Sequence, residues 1–412
     1  MNDESYDAIV AGGGPAGLSA AQVVASAGLR VLVVEKRAAI GEPVRSSGGS
    51  FIADLAALGV PDHLYHPLRT CRFLGPAAES SFTTRRPIAC VLDVRALYQY
   101  LAQQAIASGA MLRLRTQVLA VERYAGDAQM VTMRDHTGVT QRLRSSLVID
   151  ATGFASTLAA QAGLHAHYRR AGVGAELDLY APAYPQDTCV LAVGSRIAPH
   201  GYAWAFPYGN GRVRAGIGVL KPDTTVDPAD YLDTFVRDYP PLRDALAGAS
   251  PVESHTGVIP CEGPSPTLVA DGLITVGDAA GQASSLAGEG IRFAMHAGRL
   301  AGRVGADAIG RQDVSSAALG AYPREWERRF GRDHRRAYAI TNRLYQSSDD
   351  QWDAAIRLLG SAGSAAYVRL MATDLSPQLL IPLAAAAVRH PRALRQVLGL
   401  LRPSPRSTRP RP

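Results

Sequence analysis

Lysine is almost missing from this chain of 412 residues. Lys36 and Lys221 are the only two, and arginine supplies the rest of the 43 basic residues. Because those arginines are spread out, the net charge of +7 reads as genome composition rather than as a nucleic-acid-binding face. Cysteine is scarce as well. Cys71, Cys90, Cys189 and Cys261 form no CxxC pair and show no metal-ligand spacing, which excludes a redox dithiol, a zinc site and a disulfide framework. They read as buried thiols of a reducing compartment, so a cytoplasmic location is expected. No apolar run is long enough for a membrane span; the best, from Leu379 to Val388, is too short and contains Pro382. The first apolar strand begins near residue 6, which leaves no room for a secretory leader. Repeats and coiled-coil heptads are also lacking. With 47% apolar and 19% charged residues, an ordinary globular chain of two or three domains remains.

Glycine is what the chain has in the right places. The apolar run Tyr6–Ala11 reads as a buried strand and opens onto Gly12-Gly13-Gly14-Pro15-Ala16-Gly17, then onto the helical stretch Leu18–Ala25. Glycines at 12, 14 and 17 fit a dinucleotide fingerprint. The first permits a tight turn, the second lets backbone approach a pyrophosphate, and the third lets helix pack on strand. A second strand, Arg30–Val34, ends at Glu35 and Lys36. A carboxylate at that place suits a ribose with a free 2′-hydroxyl. Far downstream, Leu273–Val276 leads into Gly277-Asp278-Ala279-Ala280-Gly281. Such a late return suits FAD, whose ribityl chain needs a second anchor that NAD does not.

Between these blocks the pattern changes. Val94–Ser108 reads as a helix, Met130–Met133 with Gln141–Leu143 as a meander, and Leu147–Gly153 as a buried strand and turn. From about 165 to 265 the runs Val190–Val193, Tyr202–Phe206 and Val213–Val219 predict an inserted antiparallel sheet. Glu289–Val304 predicts a long helix, and beyond Ser315 the chain reads as almost wholly helical. The expected fold is α/β, with a Rossmann-like FAD-binding domain (1–165 and 266–310), an inserted antiparallel-sheet substrate domain (166–265) and a helical C-terminal region (311–402). A disordered, arginine-rich tail (403–412) follows, with weak contact to anionic lipid as its alternative reading. No second GxGxxG follows a strand, so no separate NAD(P)H domain is expected.

Together these segments resemble FAD-dependent enzymes built like para-hydroxybenzoate hydroxylase, and within them the geranylgeranyl reductase family. Gly41-Glu42-Pro43-Val44-Arg45 is similar to the family loop with an arginine near the ribityl chain. Leu92–Leu97 is similar to the helix start whose arginine, here Arg95, contacts the cofactor. Gly277-Asp278 with Gly288-Glu289-Gly290-Ile291 resembles the motif in which the aspartate holds ribityl hydroxyls and the next helix faces the flavin. Tyr202-Ala-Trp204-Ala-Phe206-Pro207, followed after eight residues by Gly216-Ile217-Gly218, matches the YxWxFP…GxG pattern of prenyl reductases. The resemblance implies FAD held by Gly12, Gly14, Ala16, Gly17, Glu35, Lys36, Arg45, Arg95, Asp278, Gly288, Gly290 and Ile291. It also implies a prenylated substrate against Tyr202, Trp204 and Phe206. Three positions depart from the family: Ser46 and Ser47 where a cysteine is common, Asp150-Ala151-Thr152-Gly153 in place of Ala-Asp-Gly, and Ser285 in place of proline.

An isolated alkene accepts hydride only if a proton arrives at its other carbon, and a nearby aromatic ring can stabilise the cationic character by about 0.5–2 kcal/mol. Tyr202, or water held by Ser46 or Ser47, is the expected proton source, and Trp204 an expected catalytic ring. NAD(P)H or ferredoxin is expected as electron donor, and membrane contact as peripheral at most. His63, His66, His165, His167 and His334 have no assignable partner, and no metal site is expected. The competing readings are an aromatic hydroxylase of the same fold, a flavin-dependent halogenase and a flavin-binding module without activity. The halogenase reading needs a lysine beyond the first loop, and residues 38–220 contain none.

Overall fold

The computed structural model describes residues 4–123 and 128–399, so the tail from 403 onward lies outside the described residues. The first layer forms around β1 (Ser5–Ala11), followed by helix α1 (Pro15–Ser26) and β2 (Val31–Val34). Every residue of β2 is buried, as expected of a strand covered on both faces of a parallel sheet. Helix α2 (Val94–Ala107) starts at Asp93, whose carboxylate accepts the Ala96 N–H at 3.0 Å. The second arm of the expected meander, Gln141–Leu143, and the buried strand expected from Leu147 are one continuous strand, β3 (Thr140–Asp150). Its first half pairs antiparallel with Gln129–Asp135, and its second half runs parallel to β1. Leu273–Thr275 returns to pair with β3, and the Val276 N–H donates to the Asp150 carbonyl at 2.9 Å. The late glycine–aspartate corner thereby joins the first sheet.

The long helix α3 (Ile291–Gly310) begins two residues later than expected and ends six later. It packs along α1 at close range. Gly298 faces the Ala16 carbonyl and Gly302 the Ala20 carbonyl, so a Cβ at either would collide with backbone. Small residues at both helix faces are what permit that approach.

The second sheet contains β4 (Ala171–Tyr180), β5 (Thr188–Gly194), β6 (Ala198–Gly209), β7 (Arg212–Lys221) and β8 (Ser250–Pro260). Their order is β8-β4-β7-β6-β5, all antiparallel. Beyond β5 the sheet gains a hairpin, Thr70–Leu74 with Glu79–Thr83, through parallel pairing of Thr70 with Thr188. The sequence boundary at 165 places that hairpin in the first domain; the structure adds it to the second sheet. A three-stranded sheet, Gly49–Phe51, Tyr65–Leu68 and Ala89–Leu92, links the two layers.

The C-terminal region is helical, as expected. Helix α4 (Asp349–Ala362) opens with a reciprocal capping box between Ser348 and Gln351, and α5 (Pro377–Arg389) follows. All four cysteines are free and buried.

Candidate active site

A cleft of about 580 Å³ runs between the two sheets. At one end stands the turn after β1. Gly12 has φ +119° and lies against the Ala151 carbonyl, a position only glycine occupies without strain. Gly17 lies against the Gly12 carbonyl, which explains its place in the fingerprint, but it does not line the cleft. Gly14 differs, because a Cβ there would meet nothing within 4 Å. It faces open cleft at the N-terminus of α1, where no side chain caps the helix. Free N–H groups and the positive helix end therefore point at the space a pyrophosphate would fill. Glu35 stands beside it and accepts the Gly13 N–H at 2.8 Å and the Arg37 N–H at 2.8 Å. Ala16 also lines this end, and Lys36 and Arg45 are exposed at the rim.

The middle of the cleft is closed by Gly277-Asp278 and by Gly288, Gly290 and Ile291 at the start of α3. Burial pushes the Asp278 carboxyl up to about 6, and among the described residues no charge or hydrogen bond offsets it. A half-buried acceptor that lines the cleft without a protein donor fits a polyhydroxylated chain passing over it. The turn before α3 is clamped from behind. Arg292 Nε donates to Glu289 Oε2 at 2.6 Å, Nη1 to Asp54 at 2.6 Å and Nη2 to the Ala372 carbonyl at 2.6 Å. One guanidinium thus ties α3 to two distant segments, a use to which its planar five-donor fork is suited.

The second sheet forms the opposite wall. Register places Gly174, Gly218 and Tyr202 in one row, and His255, Glu176, Gly216 and Trp204 in the next, all on one face. The Trp204 indole leaves β6 and lies flat across β7. A Cβ at Gly216 would overlap it, and one at Gly218 would stand 3.4 Å away. The ring then reaches β4, where Nε1 donates to Glu176 Oε2 at 2.7 Å. The two glycines of GxG are thus the clearance for one indole. The Tyr202 ring is tilted against Trp204 with centroids 5.5 Å apart, and its hydroxyl donates to the Ala287 carbonyl at 2.9 Å. Burial raises its pKa, so the phenol is a poor acid.

Of the residues expected at the site, Ser46, Ser47, Tyr202 and Trp204 share the cleft with the glycine turns. Ser46 Oγ accepts the Gly48 N–H at 3.4 Å, and the Ser47 carbonyl accepts from Arg214 Nη1 at 3.1 Å. Besides Gly17, two expected residues do not line the cleft, Arg95 and Phe206. Arg95 pairs with Glu42 at 3.3 Å and Glu253 at 3.1 Å instead of lining the cleft. Phe206 has its ring against Gly49. The sequence reading missed Glu176 and His255, which do line it. The alternation Gly172-Val173-Gly174-Ala175-Glu176 was the available signal, because it puts an acid at the end of a side-chain-free strand face. Of the histidines considered from sequence, His165 bonds the Ala279 carbonyl at 2.9 Å, and burial holds His334 down at about 4. Both are packing residues.

A dinucleotide turn, a buried aspartate corner on the same sheet and an aromatic wall define a class, the FAD-dependent oxidoreductases. Residues 7–192 match the model of the FAD dependent oxidoreductase family, and residues 174–257 that of the geranylgeranyl reductase catalytic domain. The chain is 31% identical to digeranylgeranylglycerophospholipid reductase 2 of Methanothermobacter thermautotrophicus over 86% of its own length and 91% of that protein. It is 32% identical to a second such reductase, from Methanococcoides burtonii, over 86% and 87%. A crystal structure of a geranylgeranyl bacteriochlorophyll reductase-like protein from Thermoplasma acidophilum superposes with a TM-score of 0.82 at 26% identity, covering 96% and 99%. The chain belongs to the geranylgeranyl reductase family of FAD-dependent oxidoreductases. A flavin-dependent brominase superposes with a TM-score of 0.69 at 18% identity, a likeness of fold alone.

Proposed function

We propose that this enzyme reduces carbon–carbon double bonds in the prenyl chain of a lipid. The observation that carries this reading is the aromatic pair Tyr202 and Trp204 laid along a glycine-floored wall of the same cleft that holds Asp278 and the Gly12–Gly14 turn. Gly14 and the start of α1 would bind the pyrophosphate, Glu35 the ribose, and Asp278 the ribityl hydroxyls. FAD bound there and reduced would supply the hydride. Leu220, Ile259, Cys261 and Tyr345 make the far end of the cleft apolar, which suits an isoprenoid tail. Each buried CH₂ contributes about 0.8 kcal/mol, so a few isoprene units outweigh any single hydrogen bond. The rings of Tyr202 and Trp204 would face the alkene and stabilise positive charge developing on its carbon.

Electrons would come from NAD(P)H or ferredoxin. The lipid would be met at a cytoplasmic membrane surface. None of the described helices is long and apolar enough to cross a bilayer, but α5 exposes Leu380, Ile381 and Val388. Residues 375–412 hold seven arginines (389, 392, 395, 402, 406, 409 and 411) and no acid, which equals the whole net charge of +7. An apolar stripe followed in sequence by such charge suits an anionic leaflet, at about 1 kcal/mol per basic residue near the surface.

The test is anaerobic. Holoenzyme reduced with dithionite and mixed with a digeranylgeranyl glycerolipid should reoxidise its flavin and yield product two mass units heavier per bond. Product oxygen and stoichiometric O₂ uptake in air would instead mark a hydroxylase and end this reading.

A further inference from the structure

Glu176, Asp178, Arg214 and His255 are each at most 5% exposed, yet Glu176 and His255 open onto the cleft. Such a cluster is costly to bury and does nothing that apolar residues would not do for stability alone. Its charges are ordered by depth. Arg214 binds the Ser47 and Leu92 carbonyls at 3.1 and 3.0 Å, and its Nε lies 3.4 Å from Asp178 Oδ1. Asp178 also accepts the Tyr208 hydroxyl at 2.8 Å and an Arg212 N–H at 3.2 Å. Both of those bonds fall on Oδ2, and Asp178 is held below the usual carboxylate range, with burial opposed by His255, Arg214, Tyr208 and Arg212.

Glu176 is placed differently. Among the described residues its carboxylate accepts one hydrogen bond, from Trp204, and it meets the cleft at the edge of the glycine floor. His255, its cross-strand neighbour, has neither ring nitrogen hydrogen-bonded. Nε2 lies 3.6 Å from Asp178 and Nδ1 3.8 Å from Glu253. Glu253, which also pairs with Arg95 at 3.1 Å, is 38% exposed and reaches solvent.

We infer that Glu176 is the catalytic acid that protonates the substrate alkene, and that His255 and Glu253 return a proton to it from solvent. The inference rests on the prenyl-reductase reading and deepens it. In balance, the alkene π pair forms a new C–H bond with the Glu176 proton. Hydride from reduced FAD forms the second C–H bond at the other carbon, leaving Glu176 as carboxylate and the flavin oxidised. Tyr202, expected from sequence as the donor, has committed its proton to the Ala287 carbonyl.

Protonation of Glu176 is set by what faces it from each strand: Arg214 of β7, Trp204 of β6, His255 of β8 and Asp178 of its own strand. Burial raises the carboxyl to about 6 against the lowering effect of Arg214, Trp204 and His255. The acid form is therefore populated below about pH 6 and depleted above it.

Two measurements on the holoenzyme test the assignment. In ¹H–¹⁵N spectra of the oxidised form, the Trp204 indole N–H should shift with a midpoint near pH 6. That titration should vanish in Glu176→Gln and move upward in His255→Asn. In reductive turnover, wild-type rate should fall above pH 6. Glu176→Gln should be about 100-fold slower with that limb lost and FAD affinity unchanged, while Glu176→Asp recovers part of the rate. A Glu176→Gln rate within threefold of wild type, or an indole signal flat from pH 4.5 to 8, overturns the donor role. A wild-type enzyme inert toward prenylated lipid counts instead against the substrate reading.

Discussion

At the scale of single residues, the absence of a side chain sets the geometry of this cleft. Gly14 faces empty space and Gly216 faces an indole, so the same type of change should fail in two ways. Gly14→Val sends its side chain toward the pyrophosphate space from a Cβ that meets nothing within 4 Å. The variant should fold with the thermal stability of the wild-type apoprotein and be purified colourless, with flavin absorbance near 450 nm as the check. Gly216→Ala pushes a methyl group into Trp204. Overpacking of this kind costs about 1–3 kcal/mol. The variant should keep its yellow colour, lose several-fold or more in turnover, and show altered tryptophan fluorescence as the indole swings away from Glu176. Equal behaviour of the two variants in flavin content would contradict the division of labour drawn for these glycines.

At the scale of elements, the sequence shows what is local and hides what register creates. β1, α1 and β2 were legible because a strand, a glycine turn and a helix start follow one another within thirty residues. The return at Leu273–Asp278 was legible because a short buried strand ends in the same kind of corner. The Thr70–Thr83 hairpin was not, since it joins β5 across more than a hundred residues and its pattern alone does not name its sheet. Glu176 was missed for a related reason. Its meaning depends on three other strands placing Trp204, Gly216 and His255 in its row. Arg95 shows the converse, a motif residue in its expected helix whose side chain finds Glu42 and Glu253 instead. The α1–α3 contact gives an element-scale prediction. Gly298→Val would drive a branched side chain into the Ala16 carbonyl, separating the helix that presents Gly290 from the turn that presents Gly14. Thermal unfolding should show a loss of several degrees, and flavin affinity should fall although position 298 lies outside the cleft.

At the scale of the whole molecule, the cofactor space and the stability of the apoprotein are linked through Asp278. Burial lifts its carboxyl from 3.8 to about 6. The folded state therefore holds the proton more tightly than the unfolded chain. Stability from this group is present below the unfolded value, declines as pH rises through the window from about 4 to 6, and stays low above it. At pH 7.5 the buried carboxylate should cost the apoprotein on the order of 2–3 kcal/mol. Asp278→Asn keeps the shape and removes the charge. The apo variant should match the apo wild type at pH 4 and melt several degrees higher at pH 7.5, with denaturant or calorimetric unfolding as the check. The same substitution should weaken FAD binding, because the amide presents one acceptor oxygen where the carboxylate presents two. Bound FAD stabilises the wild type by mass action, so the order of the two proteins should reverse when both are melted in excess FAD at pH 7.5. An Asp278→Asn apoprotein that gains nothing at pH 7.5 would mean that the carboxylate has a partner already. The empty-acceptor argument for the flavin chain at that corner would then fall.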